Sequence, residues 1–540
     1  MGMLLDNAKI KKGLLFTAEI LIILCISFFI VRFVNRDVVI KALHLDDLEN
    51  YLHYIKDPSL KSWIFDYYPD RMHYRPFFYI LLFNIFHLLH DNVQNLLIIN
   101  TSINAIVATI IYFQARRLNI HRIFCISLIL LYAHANYSYF QLYQAIGCIE
   151  ALPLAFSLII LTNSVLSINC DSKKFVCYTI FSLVLYFIMV FTHERYFPMM
   201  LLILIAIKLN KNISKKTKIK LYLVSWIEFF IFFGIRYYFL GIIVPRGTSC
   251  TSLIEHFDLA RSFKHFFIEV MYILGVNLGP KHLSGINFFD TNLYAKILAA
   301  IGIIIVLAIL TINIINNYKN VAPENKKDKH PYIGRFFFLY IFLCILQSSL
   351  TIRVEMRWVY ASFVALAIYI SYISSVAIKN AEIISVESAS AQQSGDKNVK
   401  YGTSLAFLFV MFFIVRFMTF DYYKKYNNNI FIVNEQYLVN SLAELTVEKY
   451  GIDKIRKMKI YVTSDNYKVI SEKERWHFFD QFDKKTSNKE MIMVNENPDV
   501  WLEAIKDKNS IVLYESALFF DDDDENFSLV YKSLDKMPFD

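Results

Sequence analysis

Five polar groupings interrupt an otherwise apolar sequence, and their residue types set the chemistry open to them. The adjacent pair Asp46-Asp47 lies in a stretch, Asn35 to Tyr74, that interleaves carboxylates with Tyr51, Tyr54, Trp63, Tyr67 and Tyr68. A carboxylate at a membrane surface can accept the proton of a hydroxyl, and it can equally cap a helix. Neighbouring residues on a helix point apart, so only one of the two would act, and spacing does not say which. Arg71, His73 and Arg75 come next, directly before Pro76. Proline at a first helical position is a start signal, and arginine beside the free amides of a helix N-terminus forms an anion site.

The other three groupings sit between apolar runs. Tyr137, Tyr139, Phe140 and Tyr143 lead to Glu150, an arrangement that suits a sugar-binding surface as well as an interfacial aromatic belt. His193-Glu194-Arg195 is a polar break with Pro198 opening the next run. Ionisable groups next to hydrocarbon are costly, and a plain turn would use Gly, Asn or Ser, so this break reads as functional. His193 and Glu194 also offer two ligands toward a divalent metal ion. Arg353, Glu355 and Arg357 precede Trp358 and Tyr360; two guanidiniums beside one carboxylate leave positive charge for an anion.

These groupings have to be positioned by membrane helices. A chain of 540 residues with 56% hydrophobic and 16% aromatic residues is too apolar for a water-solvated globule. Its net charge of +9 comes from Lys and Arg in short segments between apolar runs, the pattern that encodes topology, and nucleic acid is excluded as a partner. The seven cysteines form no CxxC pair, so neither a zinc site nor a disulfide framework is indicated. Testing each run for length predicts eleven crossings: Gly13 to Val34, Val93 to Ala115, Arg122 to Tyr137, Ala151 to Ile168, Phe175 to Phe191, Phe197 to Leu209, Leu221 to Leu240, Leu293 to Ile315, Phe336 to Thr351, Trp358 to Ile378 and Thr403 to Phe420.

Pro76 to His90 is about 15 residues and falls short of a crossing. Read as a half-inserted helix, it places every strongly basic short loop in the cytoplasm, as the positive-inside rule favours. The N-terminus is then cytoplasmic, the C-terminus extracytoplasmic, and all five groupings share the outer face. The chain divides into a transmembrane domain, 1–420, with a first extracytoplasmic loop at 35–92, and an extracytoplasmic α/β domain, 421–540. In the latter, short β-prone pieces (Lys459 to Thr463, Met491 to Val494, Ser510 to Tyr514) alternate with helical stretches. Asp521 to Glu525 reads as a solvated acidic loop and Ser385 to Gly395 as a cytoplasmic linker.

In this order the pieces resemble the GT-C class of lipid-dependent membrane glycosyltransferases, which includes protein O-mannosyltransferases and bacterial aminoarabinose and O-antigen glucosyl transferases. The resemblance rests on one helix, then a loop holding Asp46-Asp47, then Tyr74-Arg75-Pro76-Phe77 and the run Asn95 to Arg117. It continues through Thr192-His193-Glu194 with Pro198 and ends at Arg357-Trp358-Val359-Tyr360. It covers roughly Gly13 to Ile378 and implies an all-α polytopic GT-C-like fold in a bacterial inner membrane.

The resemblance further implies a polyprenyl-phosphate sugar as donor and a glycan, lipid or protein as acceptor. A first-loop aspartate would be the general base of an inverting transfer. Catalytic roles then fall to Asp46, Asp47 and Glu194, and substrate contacts to Arg75, Glu150, His193, Arg353, Arg357 and Tyr360. The rival readings are a lipid-linked glycan flippase or transporter and an O-antigen polymerase or ligase. Transport calls for ionisable residues along helix midpoints, whereas the groupings named here lie at helix ends.

Overall fold

A computed structural model of the chain describes residues 2–40, 43, 45–66, 73–89, 92–244, 257–319, 332–387, 395–464, 479, 491–493, 503, 506–507 and 510–515. Asp70, Arg71, the acidic run 521–525 and residues 388–394 of the expected linker lie outside them. The first half of the chain forms α1 (Gly2–Val34), α2 (Leu45–Lys56), α3 (Leu60–Phe65), α4 (Pro76–Leu89), α5 (Asn95–Arg117), α6 (Arg122–His134), α7 (Tyr139–Tyr143), α8 (Cys148–Ser167), α9 (Ser172–Val190), α10 (Met200–Leu209) and α11 (Lys215–Leu240). The second half adds α12 (Leu259–Ile273), α13 (Lys281–Ser284), α14 (Leu293–Lys319), α15 (Ile333–Ser349), α16 (Tyr360–Glu387), α17 (Gly395–Lys424), α18 (Phe431–Tyr450) and α19 (Ile452–Lys457).

Among the described residues, eight helices are long and apolar enough to cross a bilayer, and all eight coincide with expected crossings. The run at Arg122 is α6 followed by Asn136–Tyr143, bent by 54°, and makes a ninth if the pair is one span. The remaining two are short. α15 has 17 residues, about 26 Å of helix, and α10 has 10, about 15 Å, against a hydrocarbon core of about 30 Å. α10 is extended by a 3₁₀ segment, Glu194–Met199, whose larger rise per residue lengthens the passage. α4, at 14 residues, is shorter than a crossing, as its length predicts.

Local signals explain the boundaries. Pro76 opens α4 at the position where its missing N–H costs nothing. The Asp171 side chain accepts from the Lys174 amide to cap α9, and the Ser214 side chain accepts from the Thr217 amide to cap α11. α11 stops at Gly241, whose φ of 70° is left-handed.

The loops sort to two ends of the bundle. At one end Lys379 donates to the Asn119 carbonyl, the His121 amide donates to Ser375 Oγ at 2.9 Å, and Asn210 Nδ2 donates to the Ser167 carbonyl at 2.8 Å. These bonds tie together the turns beside Arg116, Arg117, Lys174 and Lys208. At the other end the close of α1 meets the close of α17, where Lys424 Nζ donates to Asn35 Oδ1 at 2.6 Å. After α17 the chain continues through α18 and α19 into β1 (Lys459–Ser464), β2 (Met491–Met493) and β3 (Ser510–Glu515). These three strands form a parallel sheet in the order β2-β1-β3, with Ile460 opposite both Met491 and Ile511.

The two-ended arrangement predicts the outcome of labelling with a membrane-impermeant thiol reagent in a cysteine-free background. Asp46→Cys and Arg353→Cys should react from one side of the bilayer and Lys211→Cys only from the other. Reaction of Asp46→Cys and Lys211→Cys from the same side would refute it.

Candidate active site

The first loop is fastened to the bundle through Asp47. Its Oδ2 accepts the Ala145 amide at 2.7 Å and its Oδ1 the Ile146 amide at 2.9 Å, in the 3₁₀ turn Ala145–Gly147 that leads into α8. Free amides at a helix start favour a carboxylate there. The turn also needs Gly147, because a Cβ at that position would lie 2.6 Å from the Phe140 carbonyl oxygen. Burial pushes the Asp47 carboxyl up to about 7, against the pull of the two amides. Asp46, on the same first turn of α2, is exposed.

Glu194 is the next fixed point. It is buried, and Arg75 grips it with two parallel bonds, Nε to Oε2 at 2.7 Å and Nη2 to Oε1 at 2.9 Å. His73 Nδ1 lies 2.5 Å from Oε1. Burial works against the charge, but Arg75 and His73 outweigh it and hold the Glu194 carboxyl well below the usual carboxylate range. The segment carrying His73 and Arg75 is itself braced, since Tyr74 stacks on Phe239 of α11 at 4.1 Å and the Tyr79 hydroxyl donates to the His73 carbonyl.

His193 and Arg195, on either side of Glu194, point instead to Glu150 in the first turn of α8. Arg195 Nη2 donates to Glu150 Oε2, and His193 Nε2 is 3.5 Å from Oε1. Burial pushes the His193 imidazole down to about 4, with Arg195 and Arg75 adding to it and Glu150 opposing. The Arg195 guanidinium lies 5.7 Å from the Trp358 ring centre.

A third carboxylate, Glu355, is 1% exposed and faces two arginines, with Arg353 Nη2 2.6 Å from Oε1 and Arg357 Nε 2.6 Å from Oε2. Arg357 also stacks over Phe140 at 3.7 Å and feels Glu150 and Arg195 electrostatically, which joins this pair to the other two.

The structure therefore brings Arg75, Glu150, His193, Glu194, Arg353 and Arg357 into one region. Tyr360 lies apart: its ring stacks on Tyr132 at 4.9 Å and its hydroxyl donates to the Tyr132 carbonyl, packing α16 against α6. Among the described residues no three His, Cys, Asp or Glu side chains come together as metal ligands.

Two groups escaped the reading by motif. Arg236, fully buried in α11, feels Glu194 and Arg75, and among the described residues its Nη1 and Nη2 have no hydrogen-bond partner. The signal was a lone charge inside the apolar run Leu221 to Leu240. Glu269 of α12 faces Arg195; burial pushes it up to about 8, Ser348 Oγ donates to its Oε2, and among the described residues its Oε1 has no partner.

No family model matches the sequence, and no curated protein matches it. Among solved structures the chain is similar to ArnT from Cupriavidus metallidurans bound to undecaprenyl phosphate, at 9% identity and a TM-score of 0.43, over 94% of this chain and 93% of that one. It is similar to the apo state of the same protein at 9% identity and a TM-score of 0.41, with the same coverage. A likeness at this level assigns neither a residue nor a reaction.

The separate placements of Asp46 and Asp47 predict separate phenotypes. Asp47→Asn keeps one acceptor oxygen for two buried amides and should lower stability by about 1–3 kcal/mol, the cost of an orphaned buried donor. Asp46→Asn should melt with the wild type. Equal melting of all three proteins would show that Asp47 does not hold the turn.

Proposed function

We propose that the chain is a membrane glycosyltransferase that moves a sugar from a polyprenyl-phosphate donor to an extracytoplasmic acceptor. One observation supports this reading above the rest. At one end of the bundle, among the described residues, five guanidiniums (Arg75, Arg195, Arg236, Arg353, Arg357) meet three carboxylates (Glu150, Glu194, Glu355), which leaves guanidiniums in excess in a largely buried region. A phosphate is the complement of such a region. As the leaving group of a glycosyl transfer it departs as a stable anion, so the protein has to supply positive charge and no strong acid. A single displacement by the acceptor hydroxyl inverts the anomeric centre.

An apolar pocket nearby supports the same reading for the lipid end of such a donor. An apolar pocket of about 210 Å³ is lined by Phe197, Pro198, Leu201 and Leu204 on one side and Trp226 and Phe229 on the other. Phe197 and Pro198 belong to the 3₁₀ segment that begins with Glu194, so an isoprenoid chain in the pocket would have its phosphate near Arg75 and Arg236. The basic loops at the opposite end support a cytoplasmic placement for that end and for the N-terminus, with the C-terminus and the site outside, as in a bacterial inner membrane. Asp46, as the exposed carboxylate of the first loop, can meet an acceptor; Asp47 is already committed to two amides.

Purified protein in lipid nanodiscs, given radiolabelled polyprenyl-phosphate hexose and an envelope extract as acceptor, tests the reading. Wild type should transfer label, and Arg236→Met should lose roughly 10²–10³-fold in rate, the loss typical of removing one electrostatic stabiliser of a developing anion. Arg75→Lys should fall as well, since a point charge cannot reproduce the two-bond grip on Glu194. Absence of transfer from every polyprenyl-phosphate sugar would remove the proposal.

A further inference from the structure

We infer that His73, oriented by Glu194, is the group that takes the proton from the acceptor hydroxyl. The inference rests on the transfer reaction proposed above and assigns it a base outside the carboxylates of the first loop.

The argument begins with the tautomer. Glu194 is ionised and can only accept hydrogen bonds, so the 2.5 Å approach of His73 Nδ1 to its Oε1 requires the proton to sit on Nδ1. Arg75 Nη2, 3.2 Å from the same nitrogen, then makes a contact with it and no hydrogen bond. The lone pair is left on Nε2. Among the described residues nothing is bonded to Nε2, and a fifth of the His73 side chain is open.

A neutral imidazole whose far nitrogen is held by a carboxylate is the arrangement that makes histidine an effective base, because the carboxylate fixes the ring and stabilises the imidazolium once formed. A lone pair on Nε2 would repel a phosphate oxygen and attract an O–H, so this edge of the site selects the acceptor over the leaving group. The contact between Arg75 and His73 sets a cation and a proton acceptor side by side, within the span of one sugar ring.

The step balances without further reactants. The acceptor oxygen forms its bond to the anomeric carbon while its proton moves to Nε2. The bond from that carbon to the donor phosphate breaks, and its electron pair leaves on the phosphate oxygen. The groups that face His73 are Arg75 on its own segment, Glu194 on the 3₁₀ segment and Arg236 on α11. Burial and the two arginines lower its imidazole below the ordinary 6.5, with Glu194 opposing, so the neutral form prevails at neutral pH.

The test compares wild type, His73→Gln, His73→Ala and Asp46→Asn in the nanodisc transfer assay over roughly pH 5 to 8, the range in which imidazoles titrate. Wild-type kcat/KM should fall toward acid as His73 protonates, with a midpoint below that of free imidazole. His73→Gln keeps a donor for Glu194 and should lose roughly 10²–10⁴-fold in rate together with the acid limb. Added imidazole should restore part of the activity of His73→Ala, a recovery that a purely structural defect would not show. Asp46→Asn should keep the limb. A His73→Gln enzyme with wild-type rate and pH profile, or loss of the limb in Asp46→Asn alone, would overturn the inference and leave the reaction class standing. A wild type that transfers nothing would overturn the reaction class itself.

Discussion

The Glu194 carboxylate holds this end of the molecule together. It joins a segment before α4 to a break between α9 and α10, groups separated by about 120 positions in the chain, through bonds to both Arg75 and His73. Each of the three side chains is at least four-fifths buried, so removing one leaves its partners charged or polar without water. Breaking such a pair costs about 3–5 kcal/mol, more than most single surface interactions contribute. The neighbours of Glu194 inherit their positions from it. His193 is extended at φ −151°, so side chains alternate along the break: Glu194 turns to the first loop while His193 and Arg195 turn to Glu150.

The setting explains why so many charges accept burial. Outside a membrane a guanidinium at the end of a helix would be solvated, and its pairing would contribute little. Here the walls are aromatic and aliphatic, water is scarce and attraction between opposite charges is correspondingly stronger. Arg357 stacked on Phe140 and Arg195 beside Trp358 show the same logic applied to aromatic faces, which bind weakly hydrated guanidinium better than ammonium. At the opposite end the turns are tied by bonds to backbone carbonyls, as with Lys379 to Asn119 and Asn210 to Ser167, and Lys173, Lys174, Lys208 and Lys211 there stay exposed.

Most helices were legible because length and apolarity are local properties, and the runs at Gly13, Asn95 and Leu293 announce themselves. α10 and α15 were harder, since both are short and α10 is lengthened only by a 3₁₀ segment that polarity alone would have called a loop. The chemistry-bearing breaks were legible as excess charge beside hydrocarbon. Their pairing was not. Nothing near Glu194 in sequence names Arg75, and nothing near Glu355 says that both of its arginines would turn to it. Which of Asp46 and Asp47 is held by backbone amides also depended on a distant partner, the Ala145–Gly147 turn. Tyr360 looked like a site residue through its nearness to Arg357, but it lies a turn further on and its hydroxyl faces α6. Arg236 was visible as a letter in an apolar run and unremarked, because a membrane helix tolerates an occasional arginine near its end.

The excess of guanidiniums over carboxylates among the described residues is a cost that the folded protein carries. Arg75, Arg195, Arg353 and Arg357 already spend at least one nitrogen on a carboxylate, so they hold the shape of the region more than they wait for a ligand. Arg236 differs, with two buried nitrogens that have no partner among the described residues, beside an ion pair that is already neutral. A desolvated cation of this kind is poorly stabilised on its own and would be well stabilised by the phosphate of the proposed donor. The binding energy of that phosphate would then include relief of a penalty that folding leaves in place. In the transfer proposed above the penalty would be relieved most when the phosphate bears its full charge, so the same residue would favour the state in which the bond to the sugar has broken over the state in which it is intact.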